Sequence, residues 1–159
     1  MNSLYKIIFT IAISTLISFT VHASQAPEFT LTTEAGKVIN LSDYQGKPLI
    51  IHFWATWCPY CKKLQPGLDK LYLKYQKQGL AMIAISFWEE DGATPQTELI
   101  KRGMHFQTLV NGEQVAKQYQ VKGTPTTFFI DKSGNVHWLT NNSDPNNPKL
   151  EQAIQAIMK

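Results

Sequence analysis

The run Leu49-Ile-Ile-His-Phe-Trp-Ala55 constrains this chain more than any other segment. It is nearly continuous in hydrophobicity and rich in β-formers. A run that does not alternate suits a strand buried on both faces, at the centre of a sheet. Such a strand needs cover on each side of the sheet. At 159 residues the chain fits one domain with a core of its own. With 43% hydrophobic and 17% charged residues it is ordinary for a globular protein, which argues against wholesale disorder.

The residues after that strand read as a helix. Pro59 suits a first helical turn, where its missing N–H costs nothing. Leu64, Leu68, Leu71 and Tyr75 recur at helical spacing and predict a helix over about 59–78, kinked at Pro66 and ended by Gly79. Leu80-Ala-Met-Ile-Ala-Ile-Ser86 predicts a second buried strand. A helix is expected over Thr94–Arg102, a short strand over Phe106–Val110 and a short helix over Glu113–Tyr119. Thr126–Asp131 and Val136–Leu139 flank the turn Lys132–Asn135 and predict a hairpin. Leu150, Ile154 and Ile157 stripe a last helix. Near the N-terminus, Phe29–Thr32 and Lys37–Leu41 flank Glu34-Ala-Gly36 and predict another hairpin, followed by a short turn at Leu41–Tyr44. This order implies an α/β or α+β sandwich around one mixed sheet.

The first residues stand apart. Met1–Lys6 is short and carries one lysine, Ile7–Val21 is uncharged and apolar apart from Ser and Thr, and Val21-His22-Ala23 places small residues where a signal peptidase reads. The segment 1–23 is expected to be a signal peptide cleaved after Ala23, leaving a domain over 24–159. The rival reading is an uncleaved membrane anchor. Both put the domain outside the cytoplasm, in a periplasm or an equivalent extracytoplasmic space. The net charge of +3 is small and no Lys- or Arg-rich run occurs, so nothing points to nucleic acid or an anionic membrane surface.

Cys58 and Cys61 are the only cysteines. A pair this close cannot staple distant elements, and closing so small a loop restrains the unfolded chain little. The pair reads as chemical. A tetrahedral zinc site would need two further ligands, and His52, His105 and His137 are scattered without finger-like spacing, so no metal is expected. At the start of a helix, free N–H groups and the macrodipole favour a thiolate, so Cys58 is expected to be the reactive sulfur with a lowered pKa. Cys61, one turn further in, is expected to be less exposed. The dithiol itself would carry two electrons, so no organic cofactor is expected.

Phe53-Trp54-Ala55-Thr56-Trp57-Cys58-Pro59-Tyr60-Cys61 resembles the active-site segment of thioredoxin-fold proteins. Val121-Lys-Gly-Thr124-Pro125-Thr126-Thr127-Phe-Phe-Ile-Asp131 resembles the cis-proline segment of that superfamily. Pro27-Glu-Phe-Thr-Leu, Gly36-Lys, Leu41-Ser-Asp-Tyr and Gly46-Lys-Pro48 resemble the added N-terminal hairpin of its TlpA/ResA-type branch, which is extracytoplasmic. The likeness implies a three-layer α-β-α sandwich of the thioredoxin fold with a mixed central sheet and an added N-terminal β-hairpin. It implies a thiol–disulfide oxidoreductase acting on protein thiols or disulfides, and a cis Thr124–Pro125 bond against the dithiol. By position, Thr124 takes the role of pairing with the substrate backbone. Trp57, Pro59, Tyr60 and Pro125 join it as substrate-docking residues.

The pattern also departs from its relatives. Many carry a carboxylate near the second cysteine that shuttles its proton. The two matching positions here are His52 and Leu64. His52 has two readings: a neutral proton acceptor, or a core histidine bonded to a backbone carbonyl. Glu89 and Glu90, after a strand end, read as solvated loop charges that lie within reach of the site rim. Trp54, in phase with Ile50 and His52, reads as core.

A reductase supplied with electrons by a membrane partner leads among the functional readings. A thiol oxidase in oxidative folding is its alternative. An isomerase is disfavoured, since isomerases of this superfamily are usually dimers with an added domain and 24–159 leaves no room for one; a monomer is expected. A peroxidase is disfavoured, because Ala55 stands where peroxiredoxins place a threonine. From a different class, a redox-inactive or metal-carrying binding module of the same fold stays open.

Overall fold

The computed structural model describes residues 24–159; the expected signal peptide over 1–23 lies outside the described residues. Seven strands and four α-helices follow in the order β1 (Thr30–Thr33), β2 (Val38–Asn40), β3 (Leu49–Trp54), α1 (Pro59–Tyr75), β4 (Ala81–Ser86), α2 (Pro95–Lys101), β5 (Gln107–Val110), α3 (Glu113–Gln118), β6 (Thr126–Ile130), β7 (Val136–Thr140) and α4 (Pro148–Ile157). They form one sheet in the order β2-β1-β5-β4-β3-β6-β7. The β3–β4 and β4–β5 pairs are parallel, and the rest are antiparallel. The expected mixed sheet is therefore present, with β3 near its middle.

All six residues of β3 are buried, as its unbroken hydrophobicity demands. Alternate residues go to opposite faces. Ile50 and Trp54 join Leu64 and Leu68 of α1 and Leu150, Ile154 and Ile157 of α4 in one core. Leu49, Ile51 and Phe53 join Val115 and Ala116 of α3, with Phe29, Leu41 and Tyr119, in the other. Helices thus cover both faces of the sheet. On the second face Phe53, Tyr119 and Phe128 meet with ring centroids 5.2–5.7 Å apart, within the range aromatic pairs favour.

Pro66 does not break α1. A proline has no N–H to give the carbonyl four residues back, so the carbonyl of Lys62 is left open. Arg102, just past α2, donates to it from Nη2 at 2.8 Å and also bonds Gln65. The α-helix ends at Tyr75, three residues short of the expected 78. A 3₁₀ turn over Gln76–Gln78 completes it, and Gly79 at φ 100° stops it. Other boundaries differ by a residue or two: Phe106 precedes β5 instead of opening it, and Thr94 lies before α2 as its N-cap. The short turn at Leu41–Tyr44 is a 3₁₀ turn.

The N-terminal hairpin forms as expected, with Gly36 at φ 81° in its turn. Its docking was not visible in the sequence. β1 pairs antiparallel with β5, Thr32 opposite Val110, and so extends the sheet on the side away from β6.

Candidate active site

Three loops meet at one end of the sheet. β3 runs out of Trp54 into the turn Ala55–Cys58, closed by Cys58 N–H donating to Ala55 O at 3.1 Å. Cys58 caps α1 with extended backbone (φ −81°, ψ 107°), and Pro59 opens the helix. Cys58 and Cys61 form a disulfide with Cα atoms 5.3 Å apart. The Cys58 sulfur accepts a hydrogen bond from Cys61 N–H at 3.1 Å. The same N–H faces the Cys58 sulfur as a donor once the disulfide opens. Cys61 is wholly buried, and Cys58 keeps only 2% of its surface exposed.

The second loop precedes β6. The Thr124–Pro125 bond is cis. Phe53 lies opposite Thr126 in the β3–β6 ladder, which places Pro125 beside the last residues of β3 and so beside the turn that leads to Cys58. Pro125 is buried and Thr124 partly exposed. Asn141, beyond β7, donates to Pro125 O at 3.3 Å and to Thr126 Oγ1 at 2.6 Å. Thr126 Oγ1 donates to Gly123 O at 2.7 Å.

The third loop follows β4, and its role escapes the sequence reading. The carboxylate of Glu89 accepts from Thr56 N–H at 3.0 and 3.1 Å and from Thr56 Oγ1 at 2.5 Å. It is no free loop charge: it is tied into the turn before Cys58. Desolvation, offset in part by the bonds from Thr56, raises its pKa above the usual carboxylate value, and the nearby charges of Glu113 and Glu90 push the same way. Glu90 is exposed, as expected of a solvated charge. Trp57 Nε1 donates to Trp88 O at 2.7 Å. Trp57, Tyr60 and Trp88 are all exposed, at 49%, 62% and 55%. Pro59 is exposed beside them. The rim around Cys58 is therefore aromatic, and Trp88 adds a ring that no sequence pattern marked.

His52 is buried on the α1 face of β3, in phase with Ile50 and Trp54. Its Nδ1 lies 3.0 Å from Thr127 Oγ1, so its partner is a hydroxyl on β6 and not the backbone carbonyl expected of a core histidine. Its Nε2 is buried without a partner. Burial lowers its pKa to about 3, which keeps the imidazole neutral. Trp54 is core as expected, its Nε1 donating to Thr108 Oγ1 at 3.0 Å. Leu64, at the other shuttle position, is fully buried among apolar side chains.

The model of the AhpC/TSA family matches residues 23–139. The chain belongs to that family. Among its relatives is the thiol-disulfide oxidoreductase ResA of Bacillus thuringiensis (strain Al Hakam), 32% identical over 146 residues that cover 84% of each chain. ResA of Geobacillus kaustophilus (strain HTA426) is 38% identical over 114 residues, covering 71% of this chain and 65% of that one. The crystal structure of a putative thiol:disulfide interchange protein DsbE from Chlorobium tepidum superposes with a TM-score of 0.76 at 30% identity, covering 86% of this chain and 97% of that one. The fold is that of thioredoxin-like proteins, and the chain is a thiol–disulfide oxidoreductase. Among the described residues no group of three or more His, Cys, Asp or Glu side chains is placed to hold a metal ion.

Proposed function

We propose that this AhpC/TSA-family protein is an extracytoplasmic reductase of protein disulfides, with Cys58 as attacking sulfur and Cys61 as resolving sulfur. The Cys58 thiolate attacks one sulfur of the substrate disulfide. A Cys58–substrate disulfide forms, and the other substrate sulfur leaves as a thiolate that takes up a proton. Cys61, deprotonated, then attacks the Cys58 sulfur. The mixed disulfide breaks, the second substrate thiol is released, and the two electrons gained by the substrate have left the Cys58–Cys61 dithiol. The sulfurs carry both electrons, so no organic cofactor enters the scheme. A membrane partner returns the electrons, and the protein works as a monomer.

The observation that carries the reducing direction is the surroundings of Cys58. Its sulfur has one hydrogen-bond donor among the described residues, Cys61 N–H, and the intervening Pro59 and Tyr60 bring no cation. Strong oxidants of this chemistry hold their reduced form by stabilising the thiolate far more. Thr124 offers backbone to an extended substrate segment, and Trp57, Tyr60, Pro59 and Pro125 frame it. His52 takes the Cys61 proton in a concerted form only. A lone imidazolium at that buried place is costly, so the imidazole returns the proton instead of holding it.

The test is equilibration of the protein with graded dithiothreitol or glutathione buffers, the thiol state being read by alkylation and mass. A potential near or below about −270 mV is expected; a value near about −120 mV overturns the reducing direction. Absence of any reversible disulfide overturns the oxidoreductase reading. Cys61→Ser should trap a mixed disulfide with a protein substrate, and Cys58→Ser should not.

A further inference from the structure

We propose that Glu89 is a positioning residue of the Cys58–Cys61 couple: its carboxylate braces the turn that presents Cys58, and its charge holds the couple toward the reducing side. This rests on Cys58 being the attacking sulfur, as proposed above.

The brace is built from both sides. Thr56 and Trp57 are the central residues of the turn that Cys58 N–H closes onto Ala55 O. The first is bound through its backbone N–H and its hydroxyl to Glu89, and the second through its indole N–H to Trp88 O. Both middle residues of the turn are thus tied to one dipeptide beyond β4. That dipeptide is itself fixed. Trp88 sits at φ 56°, a left-handed conformation that is an outlier for a bulky side chain. Such a conformation persists only where its surroundings over-determine it. Here Trp88 N–H donates to Glu113 Oε1 at 3.0 Å, and its ring packs on Phe87 with centroids 4.7 Å apart. Phe87 N–H in turn donates to Trp54 O at 3.2 Å, which ties the loop to the last residue of β3.

The charge follows from the same geometry. Thr56 is two residues before Cys58, so their Cα atoms are at most about 7 Å apart. A carboxylate on the Thr56 N–H stands on the order of 10 Å from the Cys58 sulfur. With an effective dielectric of about 20–40, that repulsion disfavours the thiolate by about 4- to 17-fold. The facing charges on Glu89 are Glu113 from α3 and Glu90 from its own loop, both acidic, so nothing there cancels it. Reduction breaks the S–S bond and adds two electrons from the dithiol reductant. Cys61 takes one proton, and Cys58 stays a thiolate. A fresh negative charge on Cys58 also makes Glu89 a stronger proton acceptor. The penalty is therefore full where Glu89 is ionised and fades as the pH falls through its raised value.

Glu89→Gln removes the charge and keeps an acceptor for Thr56 N–H. Its equilibrium with dithiothreitol at pH 7.5 should move toward the reduced protein by about 4- to 17-fold, or about 18–36 mV at 29.6 mV per tenfold. The shift should shrink at pH 5, and the thiolate absorbance of Cys58 should titrate at lower pH than in the wild type. Glu89→Asp, which keeps the charge on a shorter arm, should stay within about twofold of wild type. Three results overturn the proposal: wild-type behaviour of Glu89→Gln, a shift of equal size at both pH values, or a shift in Glu89→Asp as large as in Glu89→Gln. A wild type with no reversible couple refutes the proposed function instead, so the two failures are told apart.

Discussion

His52 should make this protein acid-sensitive, by an amount set almost wholly by its burial. The imidazole is fully enclosed and its pKa lies at about 3 in the folded chain, against 6.5 when exposed. The unfolded chain therefore binds a proton below pH 6.5 that the folded chain refuses. Stability rises with pH wherever the unfolded state binds more protons, so this contribution is fully present above pH 6.5 and is lost progressively on acidification toward pH 3. Integrating the difference, the loss from His52 is about 0.2 kcal/mol at pH 7 and about 2 kcal/mol at pH 5, so about 2 kcal/mol disappears between them. Any folded pKa well below 5 gives nearly the same loss at pH 5. With a urea slope of about 1–3 kcal/mol/M, the midpoint should fall by about 0.6–2 M. The assay is urea unfolding of the oxidised protein at both pH values, followed by tryptophan fluorescence, in the wild type and in His52→Leu. His52→Gln serves as a second variant that does not titrate and can still bond Thr127. The wild type should lose about 2 kcal/mol more than either variant, which removes the shared contribution of every other group. Equal losses in wild type and variants would refute the reasoning, because a proton could then reach Nε2 in the folded state.

Two further perturbations test the packing around α1. A Cβ on Gly67 would stand 2.2 Å from Pro145 O and 2.7 Å from its Cα, both backbone atoms; Gly67→Ala should push the loop before α4 off the helix and cost about 1–3 kcal/mol in a denaturant midpoint. Leu64→Ala empties a fully buried site between α1 and the sheet; a loss of about 2–5 kcal/mol is expected by thermal or urea unfolding, and a loss under 1 kcal/mol would show that the layer is not close-packed there.

The parts of the fold legible in the sequence were those written in local pattern. β3 announced itself because six apolar residues in a run of seven leave no face for water. The dithiol was legible from two cysteines three apart at a strand–helix junction together with the resemblance of the segment around them, since the spacing by itself also suits half of a metal site. The cis Thr124–Pro125 bond was legible only through resemblance, as most X-Pro bonds are trans. What stayed hidden was long-range pairing of polar groups. Nothing local tells that Glu89 will reach Thr56, 33 positions away, while its neighbour Glu90 stays in water. The same holds for Arg102, which fills the carbonyl that Pro66 leaves open. His52 was legible as buried, but its partner was misplaced on a backbone carbonyl: the hydroxyl it meets comes from the β3–β6 register, His52 opposite Thr127, which no single-strand pattern encodes.

The mixed direction of the sheet is what assembles the site. β3 and β4 run parallel, so their C-terminal ends lie together, and each hands the chain to a loop at the same edge. From β3 comes the turn Ala55–Cys58, and from β4 comes Trp88–Glu89. β6 runs the other way beside β3, so it is its N-terminal end that arrives there, bringing Thr124–Pro125. Were β6 parallel to β3, the cis-proline loop would enter at the far end of the sheet and the dithiol would face only the β4 loop. Were β4 antiparallel, Glu89 would be carried away from Thr56 and the turn before Cys58 would lose its brace. The Cys58 sulfur, the backbone before Pro125 and the Glu89 carboxylate behind the turn thus meet at one end of the sheet because β4 runs parallel to β3 and β6 antiparallel to it.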